Sequence, residues 1–219
     1  MSSPFDQSRY QVRLEWGDDG LARLAASDVV VVVDVLRFSS TVTTRVAAGG
    51  AVPLDAAAHA VSLNGAAISR AAAALDPAPI VLLGCLRNAS AVAEAIADEQ
   101  RRRGARTSIA LIAGGELVPA EAGAATSRTT RRFAVEDLLG AGAIVDALGV
   151  RGIDHTSPEA AAAGEAFRGL RAATRHLLAA SGSGQELAER GAHDEVRAAA
   201  ELDASTAVPV LREGVFVAL

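Results

Sequence analysis

A chain of 219 residues that is 50% hydrophobic can bury a sizeable core, and with aromatics at 3% that core is aliphatic, which argues against base stacking as its main use. The net charge is −5 and all 21 basic residues are arginine, which argues against a nucleic-acid binder and excludes Schiff-base or P-loop lysine chemistry. Cys85 is the only cysteine, so no intrachain disulfide can form.

The start, MSSPFDQSRY, is polar and carries no signal-peptide core. YQVRLEW (10–16) alternates apolar and polar residues and predicts an edge strand. GDDG (17–20) reads as a turn, and LARLAA as a short helical turn. DVVVVVDVL is apolar on both faces, which predicts a strand in a parallel sheet covered on each side. Ser39 to Ala48 reads as a helix stopped by Gly49-Gly50, and AVPL as a short strand. Residues 55–75 are alanine-rich and predict helix, interrupted near Asn64-Gly65.

PIVLLGCL is the second strong strand. Residues 88–103 predict a helix capped by Asn88 or Ser90 and ended by Gly104. TSIALIAGG is the third strong strand, and 115–132 reads as a long loop. Phe133 to Leu148 predicts a helix with Glu136 and Asp137 in its first turn. A second long helix runs from the Ser157 N-cap and Pro158 to Ser181. After SGSG come two short helices, QELAERG and HDEVRAAAEL. VPVLREGVFVAL closes the chain as two short strands about Glu213-Gly214. The alternation of strands and helices predicts a three-layer α/β/α fold with a mostly parallel central sheet. We read residues 1–219 as a single domain, with a subdivision near residue 150 as the alternative. The longest apolar runs fall well short of the roughly 20 residues of a membrane span. The expectation is a soluble, cytoplasmic protein with no membrane or nucleic-acid partner.

Ligands of open parallel sheets bind beyond the carboxyl ends of the strands, against helix N-termini. Three segments put polar groups there. In the first, Asp34 to Thr41, the helix start and Arg37 suit a phosphate or sulfonate, and Asp34 suits a divalent metal. A turn cap at Asp34 and a surface ion pair at Arg37 explain the same residues equally well. In the second, GCLRNASAVAEA (84–95), Asn88 and Ser90 are explained sufficiently by capping, and Cys85 by burial as an inert thiol. In the third, Glu136-Asp137 complement a helix dipole, or bind Mg²⁺ beside a phosphate. His59, His155, His176 and His193 lack metal-site spacing, and the arginines of RRRGAR (101–106) read as a solvated helix end.

The block VVVVVDVLRFSSTVTTRVAAGGAVP resembles the signature strand–loop–helix of the 2-phosphosulfolactate phosphatase, or ComB-like, family. SLNGAAIS, LLGCLRNASAVAEAI, and IALIAGG followed by FAVEDLLGAGAIVDAL resemble further blocks of that family in the same order. The ending SGSGQELAERGAHDEVRAAAELDASTAVPVL follows it too. The resemblance implies a Mg²⁺-dependent phosphatase acting on a small anionic phosphate monoester, with a homodimer as the suggested assembly. It implies that Asp34, Arg37, Ser39, Ser40, Asn64, Asn88, Glu136 and Asp137 line the site, with Ser90 beside Asn88. Asp34, Glu136 and Asp137 are then the metal ligands or acid–base groups, Arg37 and the amides near Ser39 and Ser40 bind the anion, and Asn64 and Asn88 orient it. The chain departs from the family in a segment missing before SLNG, in the lost threonines of that block, and in Phe38 where a small residue is usual. These departures keep open a second reading, a paralogue without turnover that binds an anion or a partner.

Overall fold

The structure is a computed structural model, and it describes residues 3–55, 63–118 and 130–219. The central sheet is built from β1 (Val12–Trp16), β2 (Val29–Val33), β3 (Val52–Pro53), β4 (Ile80–Gly84), β5 (Ile109–Ala113), β8 (Pro209–Arg212) and β9 (Val215–Ala218). Their order is β1-β5-β2-β4-β8-β9-β3. The first four run parallel, and β8, β9 and β3 continue antiparallel. The alternating segment YQVRLEW thus supplies the edge strand, as its pattern predicts. A two-stranded ribbon, β6 (Glu116–Val118) with β7 (Thr130–Arg132), stands apart from the sheet.

Successive residues of a strand face opposite sides, and β2 shows it directly. Val29, Val31 and Val33 enter one core with residues of α4 (Ala89–Arg103), α5 (Val135–Val150) and α6 (Pro158–Leu170). Val30 and Val32 enter the other with residues of α1 (Gly17–Arg23), α2 (Phe38–Ala47) and α3 (Leu63–Ala73). The valine run is apolar on both faces because both faces are covered. This is a three-layer α/β/α fold with a mostly parallel sheet.

Register positions the site. Val33 lies opposite both Gly84 and Ala113, and Ala113 lies opposite Trp16. The four parallel strands therefore stop at one level, and the next residues, Gly17, Asp34, Cys85 and Gly114, form one rim. The helix after β2 passes to one face of the sheet and α5, which follows β5, to the other. The rim between Asp34 and Gly114 is thus the crevice from which the chain leaves in both directions.

Local departures from the sequence reading have local causes. GDDG opens α1 rather than forming a turn, since Asp18 and Asp19 in the first turn complement the helix dipole. Asn64 and Gly65 lie in the first turn of α3, and the earlier part of the helix expected over 55–75, residues 56–62, lies outside the described residues. The expected loop at 115–132 begins and ends as the β6–β7 ribbon. The long helix after Ser157 breaks into α6, a 3-10 turn at Arg171–Ala173 and α7 (Thr174–Ala180). There the Thr174 hydroxyl donates to the carbonyls of Leu170 and Arg171 and competes with the helical ladder. The short helix expected from Gln185 begins earlier, as α8 (Gly182–Glu189), capped by Ser181, whose hydroxyl accepts from the Gly184 amide. The final helix is α9 (His193–Ala199).

Candidate active site

Asp34 follows β2 directly and is buried. Its Oδ1 accepts from the Phe38 amide at 3.2 Å and its Oδ2 from the Gly65 amide at 2.9 Å. The Ser39 hydroxyl accepts from the Asp34 amide and donates to the Val32 carbonyl. The Ser39 amide donates to the Asp34 carbonyl. The first amides of α2 therefore serve Asp34 itself, and Ser39 supports that loop. A side chain at Gly65 is excluded, since a Cβ there would stand 2.8 Å from Asp34 Oδ2 and 2.6 Å from Phe38 Cδ1. Phe38 fills the second core against Phe216, edge to face, and not a ligand pocket.

Asp137, in the first turn of α5, joins the ends of β2 and β5. Its Oδ1 accepts from the Val35 amide at 2.7 Å and its Oδ2 from the Gly115 amide at 2.8 Å. Gly114 lies between the two aspartates: a Cβ there would be 3.1 Å from Asp137 Oδ2 and 3.3 Å from Asp34 Cβ. Asn64 Nδ2 donates to the Gly115 carbonyl at 2.8 Å. Asp34, Asn64, Gly114, Gly115 and Asp137 thus converge on the rim. Burial, with the neighbouring charges of Asp34 and Glu136, pushes the Asp137 carboxyl well above the usual carboxylate range, against the lowering effect of its two amide donors.

Glu136 is buried next to this rim and lines a cleft of about 230 Å³ together with Glu116, Arg132, Ser181, Gly182 and Ser183. The Ser183 hydroxyl reaches both Glu136 Oε1 and, at 3.0 Å, Glu116 Oε2. Burial raises the Glu116 carboxyl, and the charges of Asp34, Glu136 and Glu186 raise it further, partly offset by the Ser183 hydrogen bond. The Arg132 guanidinium enters the same cleft from β7 and passes close to Gly182. Sequence reasoning missed Glu116, Arg132 and Ser183. The one signal for Glu116 was the Gly114-Gly115 pair after the third strong strand, which marks a turn at the carboxyl edge.

The other expected residues have other places. Asn88 is fully buried: Oδ1 accepts from the Cys85 amide, and Nδ2 donates to the carbonyls of Leu83 and Ala207. The Ser90 amide and hydroxyl both donate to Asp203, which fixes the segment leading to β8. Neither side chain is directed to the acidic cleft. Arg37 turns away from Asp34 and pairs with Glu195 of α9 at 2.5 Å, in a separate groove shared with Ser40. Cys85 is buried and its thiol is pushed up by burial, as expected of an inert thiol.

Among the described residues no group of three or more His, Cys, Asp or Glu side chains is arranged to hold a metal. Asp34 and Asp137 each present both oxygens to backbone amides. Glu116 and Glu136 are different: both line the cleft. Two carboxylates with waters and a substrate phosphate are a common Mg²⁺ environment, so this pair fits the ion better than the expected trio of Asp34, Glu136 and Asp137.

Residues 52–214 match the protein family described as 2-phosphosulpholactate phosphatase. The chain belongs to that family. Asn64, Glu116, Arg132, Glu136, Asp137 and Ser183 all lie within the 2-phosphosulpholactate phosphatase match, whereas Asp34 to Ser40 precede it. No curated protein matches the chain. Among the described residues no helix is long and apolar enough to cross a membrane.

Proposed function

We propose that the chain is a phosphatase hydrolysing a small anionic phosphate monoester of the 2-phosphosulfolactate type, with Mg²⁺ as cofactor. The observation that carries this reading is the cleft in which Glu116, Glu136 and Arg132 meet, inside the segment that matches the family. Arg132 offers a planar, permanently charged fork to the phosphoryl oxygens. The Ser183 hydroxyl stands within hydrogen-bond distance of both Glu116 and Glu136 and donates its one proton to either, which keeps the two carboxyl groups side by side before substrate arrives. Glu116 and Glu136 would hold Mg²⁺, which when bound spreads the charge of the transferring phosphoryl group and lowers the pKa of a coordinated water. Asp34 and Asp137 act behind this face. They tie the starts of α2 and α3 and the ends of β2 and β5 into one rigid rim, and Asn64 fixes the Gly115 carbonyl beside Glu116.

The test is phosphate release from 2-phosphosulfolactate and a panel of small phosphate monoesters, with and without Mg²⁺. Turnover that needs Mg²⁺ and collapses in Glu136→Gln supports the assignment. Purified, folded protein with no turnover on any ester at any Mg²⁺ concentration rejects it and leaves the family scaffold as a binding protein.

A further inference from the structure

The β6–β7 ribbon carries Glu116 and Arg132 to the acidic cleft, as a two-stranded sheet separate from the central one. A lone ribbon of this kind is marginally stable in water, so contacts outside it must fix its position. Its register sets Glu116 opposite Arg132 and Leu117 opposite Arg131. Opposite residues share a face, and neighbours along a strand alternate. Glu116 and Arg132 therefore share the cleft face, and Arg131 leaves from the other. The Arg131 side chain is largely buried. Its Nη2 pairs with Asp18 Oδ1 of α1 at 2.8 Å, and its Nη1 donates to the Gly114 carbonyl on the rim. The stem lies across two glycines: a Cβ at Gly17 would overlap Arg131 Nε, and one at Gly115 would stand 3.0 Å from Arg131 Cγ. The next residue along the chain from Arg132, Phe133, packs against Trp16 at the end of β1, with ring centroids 5.2 Å apart.

We propose that Arg131 is a positioning residue for the acidic cleft: it latches the β6–β7 ribbon to α1 and to the rim, and so sets Glu116 and Arg132 against Glu136. Arginine suits the task because its planar fork reaches two acceptors in fixed directions, here a carboxylate on α1 and a carbonyl on the rim. Gly114 is also the residue between Asp34 and Asp137, so the latch fastens the ribbon to the loop those aspartates hold. Ser183 meets the ribbon from the α8 side through Glu116, and Arg131 grips it from the α1 side. Asp18 is 60% exposed, so the ion pair itself adds little to global stability, and its effect is local. The catalytic consequence rests on the phosphatase reading; the latch does not.

Two readouts on the full chain test it. Trp16 is the one tryptophan, and its contact with Phe133 makes acrylamide quenching of its fluorescence a report on the ribbon. The second readout is Mg²⁺-dependent phosphate release from 2-phosphosulfolactate. Arg131→Ala, with circular dichroism showing it folded, should raise the quenching constant about twofold as the ribbon loosens. It should lower kcat/KM about tenfold or more, with a higher Mg²⁺ concentration for half activation, because the cleft side chains are misplaced. Gly17→Ala is the second variant: it keeps the arginine charge, pushes the stem aside, and should produce both changes. Added to Arg131→Ala, it should lower kcat/KM by less than about twofold further, since both act through one contact. Quenching at the parent value in Arg131→Ala overturns the proposal. So does a raised quenching constant with full kcat/KM, or losses from the two substitutions that simply multiply. A parent without turnover rejects the phosphatase reading instead, and quenching alone then decides the latch.

Discussion

A single methyl group decides the rim at Gly65. Its amide reaches Asp34 Oδ2 only because no Cβ intervenes, and a Cβ would stand within 2.8 Å of both that oxygen and Phe38 Cβ. Gly65→Ala should therefore destabilise the fold by about 1–3 kcal/mol through overpacking, read as a lower urea midpoint. An unchanged midpoint would mean that the contact is not as tight as described. Ser183 makes a separate prediction. It touches Glu116 and Glu136 without being a candidate ligand itself, so Ser183→Ala should cost about 1–3 kcal/mol, because buried Glu136 loses a donor, and leave the chain folded. It should lower kcat/KM, and Mg²⁺ affinity with it, by about tenfold or more, as loss of an orienting partner does. Full activity in that variant would remove the reason for treating the two glutamates as a pair.

At the scale of elements, β2 and β5 are joined at both ends by acidic side chains. At the carboxyl end Asp137 accepts from Val35 and Gly115; at the amino end Asp28 accepts from the Ser108 amide and hydroxyl, both at 2.7 Å, and pairs with Arg103. Burial pushes Asp28 up, but the Ser108 hydrogen bonds and the Arg103 charge outweigh it and hold the carboxyl below its ordinary value. A group depressed in the folded state contributes stability that is present above its unfolded pKa and lost as pH falls through the folded one. Asp28→Asn should therefore cost about 1–2 kcal/mol near neutral pH. The gap between variant and parent should close below about pH 4, where the unfolded carboxyl is protonated. Urea titrations at neutral and acid pH decide it, and a gap of constant size would show that the charge of Asp28 is not what matters. The same two strands show what was legible in the sequence. DVVVVVDVL and TSIALIAGG announce central parallel strands by being apolar on both faces, and so the rim that follows them is locatable. The partners at the rim are less so. Asn88 reads as a helix cap because asparagine at a strand–helix junction does that often, yet its amide completes a buried network with Cys85, Leu83 and Ala207. Arg132 and Ser183 join Glu136 only through the β6–β7 ribbon and the start of α8, a tertiary fact without a local pattern.

For the whole molecule, the question is whether the two cores behave as one. Every residue of β2 is buried, but neighbours along it belong to different cores: Val31 packs with the α4–α5–α6 side and Val32 with the α1–α2–α3 side. The first and last strands share this sheet, so the backbone that holds one core in place also holds the other. A domain boundary near residue 150 would let α6 and the segments after it unfold apart from the first half. That is hard to reconcile with β8 and β9 completing the sheet between β4 and β3. The expected outcome is one cooperative transition. Val31→Ala and Val32→Ala remove the same atoms from opposite faces, and each should cost about 2 kcal/mol from lost burial and an unfilled cavity. If the sheet couples the cores, both variants lower the same midpoint, and circular dichroism and Trp16 fluorescence report one curve. A variant that shifts one probe and leaves the other in place would separate the cores and make the chain two folding units.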